Sequence, residues 1–306
     1  MRSGEASFTP LLFMMDYHSD MIAEDVVGEM IRRVTGMAML VLPVDDFTQE
    51  FWNIYNTVRE EGPAQEITLT LSRDDFMMEP KADGSKGQDV KQVEFNTFAS
   101  GAGGVIGAMR DVHRDDYEVA VVYYRYGYSP KHYPTRKEYD LRLKMERSRA
   151  IKCPSMASHL AGCKKIQQVL AEPRVLERFI SDPVTVAEIR SVFVGLYRLN
   201  QDGSSSAVIE KALANPDQFV MKPQREGGGN NHFGAELKSF LEKIKNTQEL
   251  SSWILMDRIR VVEHRNRLIR VGLGPECRDV CSELGIFGVH LSTPGEELEN
   301  FECGCN

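Results

Sequence analysis

"FVMKPQREGGGNNHFG", from Phe219 to Gly234, runs an apolar strand into a lysine, then Arg-Glu, three consecutive glycines and two asparagines. Three glycines in a row lose the most conformational entropy on ordering and pack nothing, so they weaken any regular element that holds them. Either Gly227, Gly228 and Gly229 form an ordinary solvated hairpin loop, or a function offsets their cost. The residue order excludes two familiar nucleotide motifs. The lysine precedes the glycines and no Gly-Lys-Ser/Thr follows, so this is not a Walker A loop. "SGAGGVIG" (Ser100 to Gly107) imitates a dinucleotide fingerprint but carries Ile106 where the last glycine belongs. The flanks favour function over a plain loop. Lys222 closes the strand, where a long cation reaches phosphate oxygens, and Glu226 is a hard oxygen ligand suited to Mg²⁺. The glycines let backbone N–H groups approach a phosphate, and Asn230 and Asn231 add amide donors and acceptors. Together they read as a phosphate-and-metal lid.

The chain has 306 residues, enough for a large core and two domains or lobes. Its formal net charge of −8 argues against a nucleic-acid partner, which needs clustered Lys and Arg, but leaves room for a local anion site. No apolar run approaches the ~20 residues of a membrane span. "LLFMM" (Leu11 to Met15) is too short for a signal core, so the expectation is a cytosolic protein. The six cysteines, at 153, 163, 277, 281, 303 and 305, show no paired zinc or redox spacing and read as free thiols. The terminal "ECGCN" reads as a frayed tail. No histidine pairs at zinc spacing, and no Gly-x-Ser-x-Gly elbow suggests a hydrolase.

Ile22, Val26, Val27, Met30, Ile31 and Val34 recur at helical spacing. "DDFTQEFWNIYNTVREEG" predicts a second helix, capped by Asp46 and stopped by Gly62. "ITLTLSRDDFMM" predicts a strand with Arg73 at its end, Asp83-Gly84 a turn, and "VKQVEFNTF" a returning strand. "EVAVVYYRYGY" reads as one continuous buried strand. "KKIQQVLAEPRVLERF" and "TVAEIRSVFVGLY" carry helical stripes, and "QFVMK", "SWILMDRI" and "ELGIFGV" read as strands. This is an α/β or α+β enzyme-like chain without repeats.

Further candidates are weaker alone. Glu94 and Asn96, two apart on a strand, point to one face and could share Mg²⁺; a solvated strand face is the plain alternative. Lys164 and Lys165 on a helix are solvated by default. Arg73 and Arg125 at strand ends suit an anion or simply terminate the strand.

Taken together, these segments resemble the eukaryotic-type glutathione synthetases, an ATP-grasp family. The resemblance rests on "DDFTQEFWNIY", "EGPAQEITLTLSRDDFM", "KQVEFNT", "AVVYYRYGYSPKHY", "ERSRAIKCPSMASHLAGCKKIQQ", the glycine-loop stretch, "SWILMDRI" and "CSELGIFGV". It implies two lobes that clamp ATP: residues 1–132 as a substrate-binding region that contributes metal ligands, and 133–306 as an ATP-grasp domain. It implies that Glu94, Asn96 and Glu226 hold Mg²⁺, and that Lys164 and Lys222 contact the nucleotide. Lys222, Pro223, Gln224, Arg225, Glu226, Gly227, Gly228, Gly229, Asn230 and Asn231 would cradle the phosphates, with Phe233 beside them. Met256, Asp257, Arg258, Ile259 and Glu283 would line the adenine and ribose pocket. Arg73, Ser100, Arg125 and Tyr128 match positions that bind the peptide. The family joins γ-glutamylcysteine to glycine through an acyl phosphate, giving glutathione, ADP and phosphate, and its habit is a cytoplasmic homodimer.

The likeness has gaps. Only the short link "VIGAMRDVHRDDY" stands where the family has an α/β segment, and "HLSTPGEELENFECGCN" matches none of the family's alanine/glycine-rich loop. Phe233 replaces a usual tyrosine, Asp257-Arg258 a usual Glu-Lys, and Tyr126 an aspartate; Ala99 and Gly101 fall where serines are common. A diverged, non-catalytic member that binds nucleotide or a partner is the second reading.

Overall fold

The computed structural model describes residues 44–98, 113, 114, 117–225, 228–270, 272, 274–294 and 296–305. The helix expected over Ile22 to Val34 lies outside them, as do Ser100, Glu226 and Gly227. Helix α1 (Asp46–Glu61) is followed by strands β1 (Thr68–Pro80) and β2 (Gln88–Asn96), the two-residue pair β3 (His113–Arg114) and β4 (Tyr117–Glu118), and β5 (Val121–Tyr123). Then come α2 (Arg136–Glu146), β6 (Ile151–Cys153), α3 (Met156–Ala161), α4 (Lys164–Leu170), α5 (Pro183–Val192), β7 (Leu196–Arg198) and α6 (Ser206–Ala214). The last stretch holds β8 (Phe219–Pro223), β9 (His232–Phe233), α7 (Gly234–Ile244) and β10 (Trp253–Asp257). It ends with β11 (His264–Leu268), β12 (Glu276–Val280), β13 (Glu283–Thr293) and β14 (Glu296–Cys305).

Two antiparallel sheets position everything that follows, one in the order β14-β13-β1-β2, the other β7-β10-β8-β9. In the second sheet the period of two sorts the side chains. Phe219, Met221 and Leu255 point to a core shared with Leu237, Leu241 and Ile244 of α7 and Ala212 of α6. Val220 and Met256 face the other way, into a small cluster with Ile259 that also takes in Met77 of β1 and Val93 of β2. That cluster joins the two sheets. A larger core gathers α1, α3, α4 and α5 around Phe51, Leu170 and Leu176. The first sheet draws β1 and β2 from before residue 132 and β13 and β14 from after it, so a cut at 132/133 does not separate the sheets.

Several expectations shift in detail. The carboxylate that caps α1 is Asp45, one residue earlier than expected; it accepts from the Thr48 amide, and Gly62 ends the helix at φ 85°. Arg73 is mid-strand, because β1 is paired on both sides and its ladder carries through Asp74 and Asp75. Within "EVAVVYYRYGY", Glu118 ends β4 and Val121–Tyr123 form β5, which among the described residues pairs with the short parallel strand β6, and Val121 is exposed. "TVAEIRSVFVGLY" splits into α5 and β7, because Phe193 at the helix end is already extended. The frayed tail is instead a strand: β14 pairs with β13 from Glu296 to Cys305. No helix among the described residues is long and apolar enough to cross a membrane.

Candidate nucleotide cleft

Between the sheets lies a cavity of about 420 Å³. Its apolar floor is the bridging cluster: Val220 and Met256 from the second sheet, Met77 and Val93 from the first, with Ile259 and Val261 after β10. Charged groups close one side. Glu94, Lys164, Lys222 and Arg225 all line it, and Gly228, Asn230, Asn231 and Phe233 form the rim where the glycine loop returns to β9. Arg258, Cys281 and Glu283 complete the wall.

The expectation that Lys164 and Lys165 are solvated is overturned. Both are buried, at 3% and 1% exposure, because α4 is enclosed on all sides. Lys164 pairs with Glu94, Nζ to Oε2 at 3.1 Å. Burial would raise the Glu94 carboxyl, but Lys164, Lys222 and Arg73 outweigh it and hold it below its usual value. Glu283, opposite Met77 on β13, goes the other way: partial burial, then Asp75 and Glu94, raise it. One wall thus keeps an ionised acid, the other a more readily protonated one.

A β-bulge explains how Glu94 reaches the cavity beside an apolar neighbour. Asp75 pairs with Glu94 and Phe76 with Gln92, which leaves Val93 without a partner across the strand. Its side chain joins the floor, and its carbonyl accepts a 2.8 Å hydrogen bond from Lys222 Nζ. Glu94 and Asn96 share a face, as the alternation predicts. Asn96 Nδ2 donates to Asp75 Oδ2 at 2.9 Å and to the Arg73 carbonyl at 3.4 Å. Arg73 itself forks onto Asp75, Nε–Oδ1 at 2.6 Å and Nη2–Oδ2 at 2.7 Å, which raises its already high pKa. Gly285 makes room for that pair: a Cβ there would stand 3.1 Å from Arg73 Cδ.

The expected residues do not all converge. Asp257 contributes to the wall, but its carboxylate is on the opposite face of β10, where it accepts from Tyr197 Oη at 3.1 Å. Pro223 ends β8, and Gln224, buried behind the rim, accepts from the Lys165 amide at 2.9 Å. Gly229 is exposed beside Gly228. Arg125 and Tyr128 lie outside the cavity lining. Arg125 donates to Tyr123 Oη at 3.3 Å, and Tyr128 packs on Phe98 with ring centres 5.6 Å apart, just past the end of β2. Met77, Val93, Val220, Val261 and Cys281 were not singled out from sequence. Met77 was within reach, because Arg73, Asp75 and Met77 alternate onto one face. Val93 was not, since a bulge leaves no pattern in the sequence.

The chain matches "Eukaryotic glutathione synthase, ATP binding domain" over residues 21–306. It belongs to the eukaryotic glutathione synthase family. The glutathione synthetase of Xenopus laevis is 33% identical to it, over 82% of this chain and 72% of that protein. That of Homo sapiens is 32% identical, over 81% and 71%. The Xenopus alignment spans 343 positions, more than the 306 residues present here, so that synthetase has interior residues with no counterpart in this chain. A glutathione synthetase-like effector from Globodera pallida, solved in its apo form, shares the fold with a TM-score of 0.59 at 18% identity, over 91% of this chain and 82% of that one. The synthase-family chain is thus an α/β protein of ATP-grasp type.

Proposed function

We propose that this synthase-family chain is an ATP-dependent carboxylate–amine ligase that joins γ-glutamylcysteine to glycine. One observation carries the reading: a single cleft sets an apolar floor from both sheets against Lys164, Lys222 and Arg225. A purine suits the floor and a triphosphate suits the cations. Adenine would lie on Val220, Met256 and Ile259, with the backbone of Asp257 and Arg258 at its edge and Glu283 near the ribose. Lys164 and Lys222 would take the phosphates, and the loop from Arg225 to Asn231 would close over them, with Phe233 at its far end.

The donor set fits a divalent cation. Glu94 is held ionised at the cavity, and Asn96, on the same face, carries an amide oxygen. Glu94, Asn96 and Glu226 would hold Mg²⁺, which when bound would neutralise phosphate oxygens. Among the described residues no group of three His, Cys, Asp or Glu side chains gathers for a metal; the third ligand, Glu226, lies outside them.

In the reaction proposed, an oxygen of the peptide's cysteinyl carboxylate attacks the γ-phosphorus and ADP leaves. The glycine amine then attacks the acyl carbon, phosphate leaves with the carboxylate oxygen, and the nitrogen gives up a proton as the amide forms. Such transfers need positioning and charge neutralisation rather than a protein nucleophile. The acyl phosphate must be kept from water, which gives the glycine loop its task. Arg73, paired with Asn96 at the end of β2, and Arg125 and Tyr128 beyond Phe98 are proposed for the peptide, together with Ser100, which lies outside the described residues. Cytosolic residence and a homodimer go with this reading. The test is phosphate release from ATP with each substrate withheld in turn. Release is expected only with both γ-glutamylcysteine and glycine present; release indifferent to the peptide would overturn the assignment.

A further inference from the structure

The residue that roots the glycine loop is fastened to a partner 180 positions away. Arg225 forks onto Asp45, Nη1–Oδ2 at 2.5 Å and Nη2–Oδ1 at 3.1 Å, and Asp45 is 5% exposed. The guanidinium also sits 5.7 Å from the Phe47 ring centre and donates to the Gln224 carbonyl at 2.6 Å. Three residues at the root are therefore tied to three elements: Lys222 to β2, Gln224 to α4 and Arg225 to the start of α1. Gly228, Gly229 and Asn230 are exposed, and a Cβ on either glycine would meet nothing within 4 Å.

We infer that Asp45 is a positioning residue for the loop. It holds Arg225 against the cavity wall, with its side chain already aimed. A guanidinium gripped by a buried carboxylate has its torsions set before any ligand arrives, so an anion entering the cavity need not order it. Without Asp45 the same arginine would keep only the Gln224 carbonyl and the Phe47 ring of these contacts. Asp45 also caps α1, through the Thr48 amide at 3.4 Å and Thr48 Oγ1 at 3.0 Å. The two duties can be separated chemically.

The inference rests on reading the cavity as a nucleotide site, and the test has one arm that does not. Asp45→Asn keeps a good helix cap and loses the anion; Asp45→Glu keeps the anion and caps poorly. With a non-hydrolysable ATP analogue and Mg²⁺, Asp45→Asn should weaken binding about tenfold with Tm within about 2 °C of the parent. Asp45→Glu should show the reverse, lower Tm and near-parent affinity. In an Arg225→Ala background, Asp45→Asn should have no further effect. The independent arm is limited trypsin digestion of the full chain. Cleavage after Arg225 should be slow in the parent and faster in Asp45→Asn, whether or not nucleotide binds. Unchanged cleavage, or affinity that simply follows Tm through the series, overturns the role. A parent that binds no analogue would refute the nucleotide reading and leave the digestion to decide the latch.

Discussion

Lys165 carries its ammonium group into the interior, where Nζ has no hydrogen-bond partner among the described residues. Burial is the main cause that lowers its pKa from 10.5 to about 8; Arg198 adds to the shift and Glu172 opposes it. Below pH 8 both folded and unfolded chains hold the proton, so the full burial penalty applies. Between about 8 and 10.5 the folded protein releases it first, and stability rises with pH. Lys165→Met should therefore gain about 3 kcal/mol at pH 7 and flatten that rise, as read by urea unfolding at pH 7 and pH 10. A Met variant with the parent's slope would contradict it. Glu94, also lowered, gives a slope of the same sign, but its charged form is the stabilising one. The stability it contributes is complete above the ordinary carboxylate range and is lost as pH falls from there through the lowered folded value, and the Mg²⁺–nucleotide binding proposed for it should fade below that value. Glu94→Gln removes the carboxylate 3.1 Å from Lys164 and should raise the analogue's Kd about 100-fold by calorimetry. The glycine loop's lysine and the Glu94/Asn96 pair were legible because each depends on local spacing. The burial of Lys164 and Lys165 was not, because it depends on what α4 packs against.

At the level of elements, the bulge in β2 is the feature with the most chemistry. It inserts Val93 without disturbing the faces on either side: Gln92 still meets Asp74 at 2.9 Å and Glu94 still meets Lys164. Deleting Val93 should leave the sheet paired but remove the carbonyl that steadies Lys222. Circular dichroism should be unchanged while analogue affinity falls about tenfold, a typical cost for one charge-assisted hydrogen bond. A deletion that binds as the parent does would show that Lys222 needs no such anchor. β1 and β2, joined across the Asp83-Gly84 turn, and β8 and β10, short apolar runs, were readable from the sequence. The length of β5 was not, because an apolar run is only as long a strand as its partner allows. β14 was not either, since its glutamates look solvated and what orders them is pairing with β13, a non-local choice.

For the whole molecule, the cleft exists only where two sheets meet over Met77, Val93, Val220, Met256 and Ile259. A nucleotide that binds there should stabilise the full chain by mass action, by about 2.7 kcal/mol at one hundred times Kd. Thermal unfolding with and without the analogue reads this directly. The Glu94→Gln protein at the same concentration should show most of that gain lost. The overall class was legible, because helices alternate with strands along the chain, but the pairing of β1 with β13 was not. That pairing joins Thr68 to Ser292, whereas β7, β8 and β10 find one another within Leu196–Asp257. On a ribosome the consequence is an order of events. The half that carries Lys222 can close while synthesis continues, but the half that carries Arg73 and Glu94 must wait until β13 has been made. Until then its apolar strands depend on chaperones to stay out of the wrong partnerships.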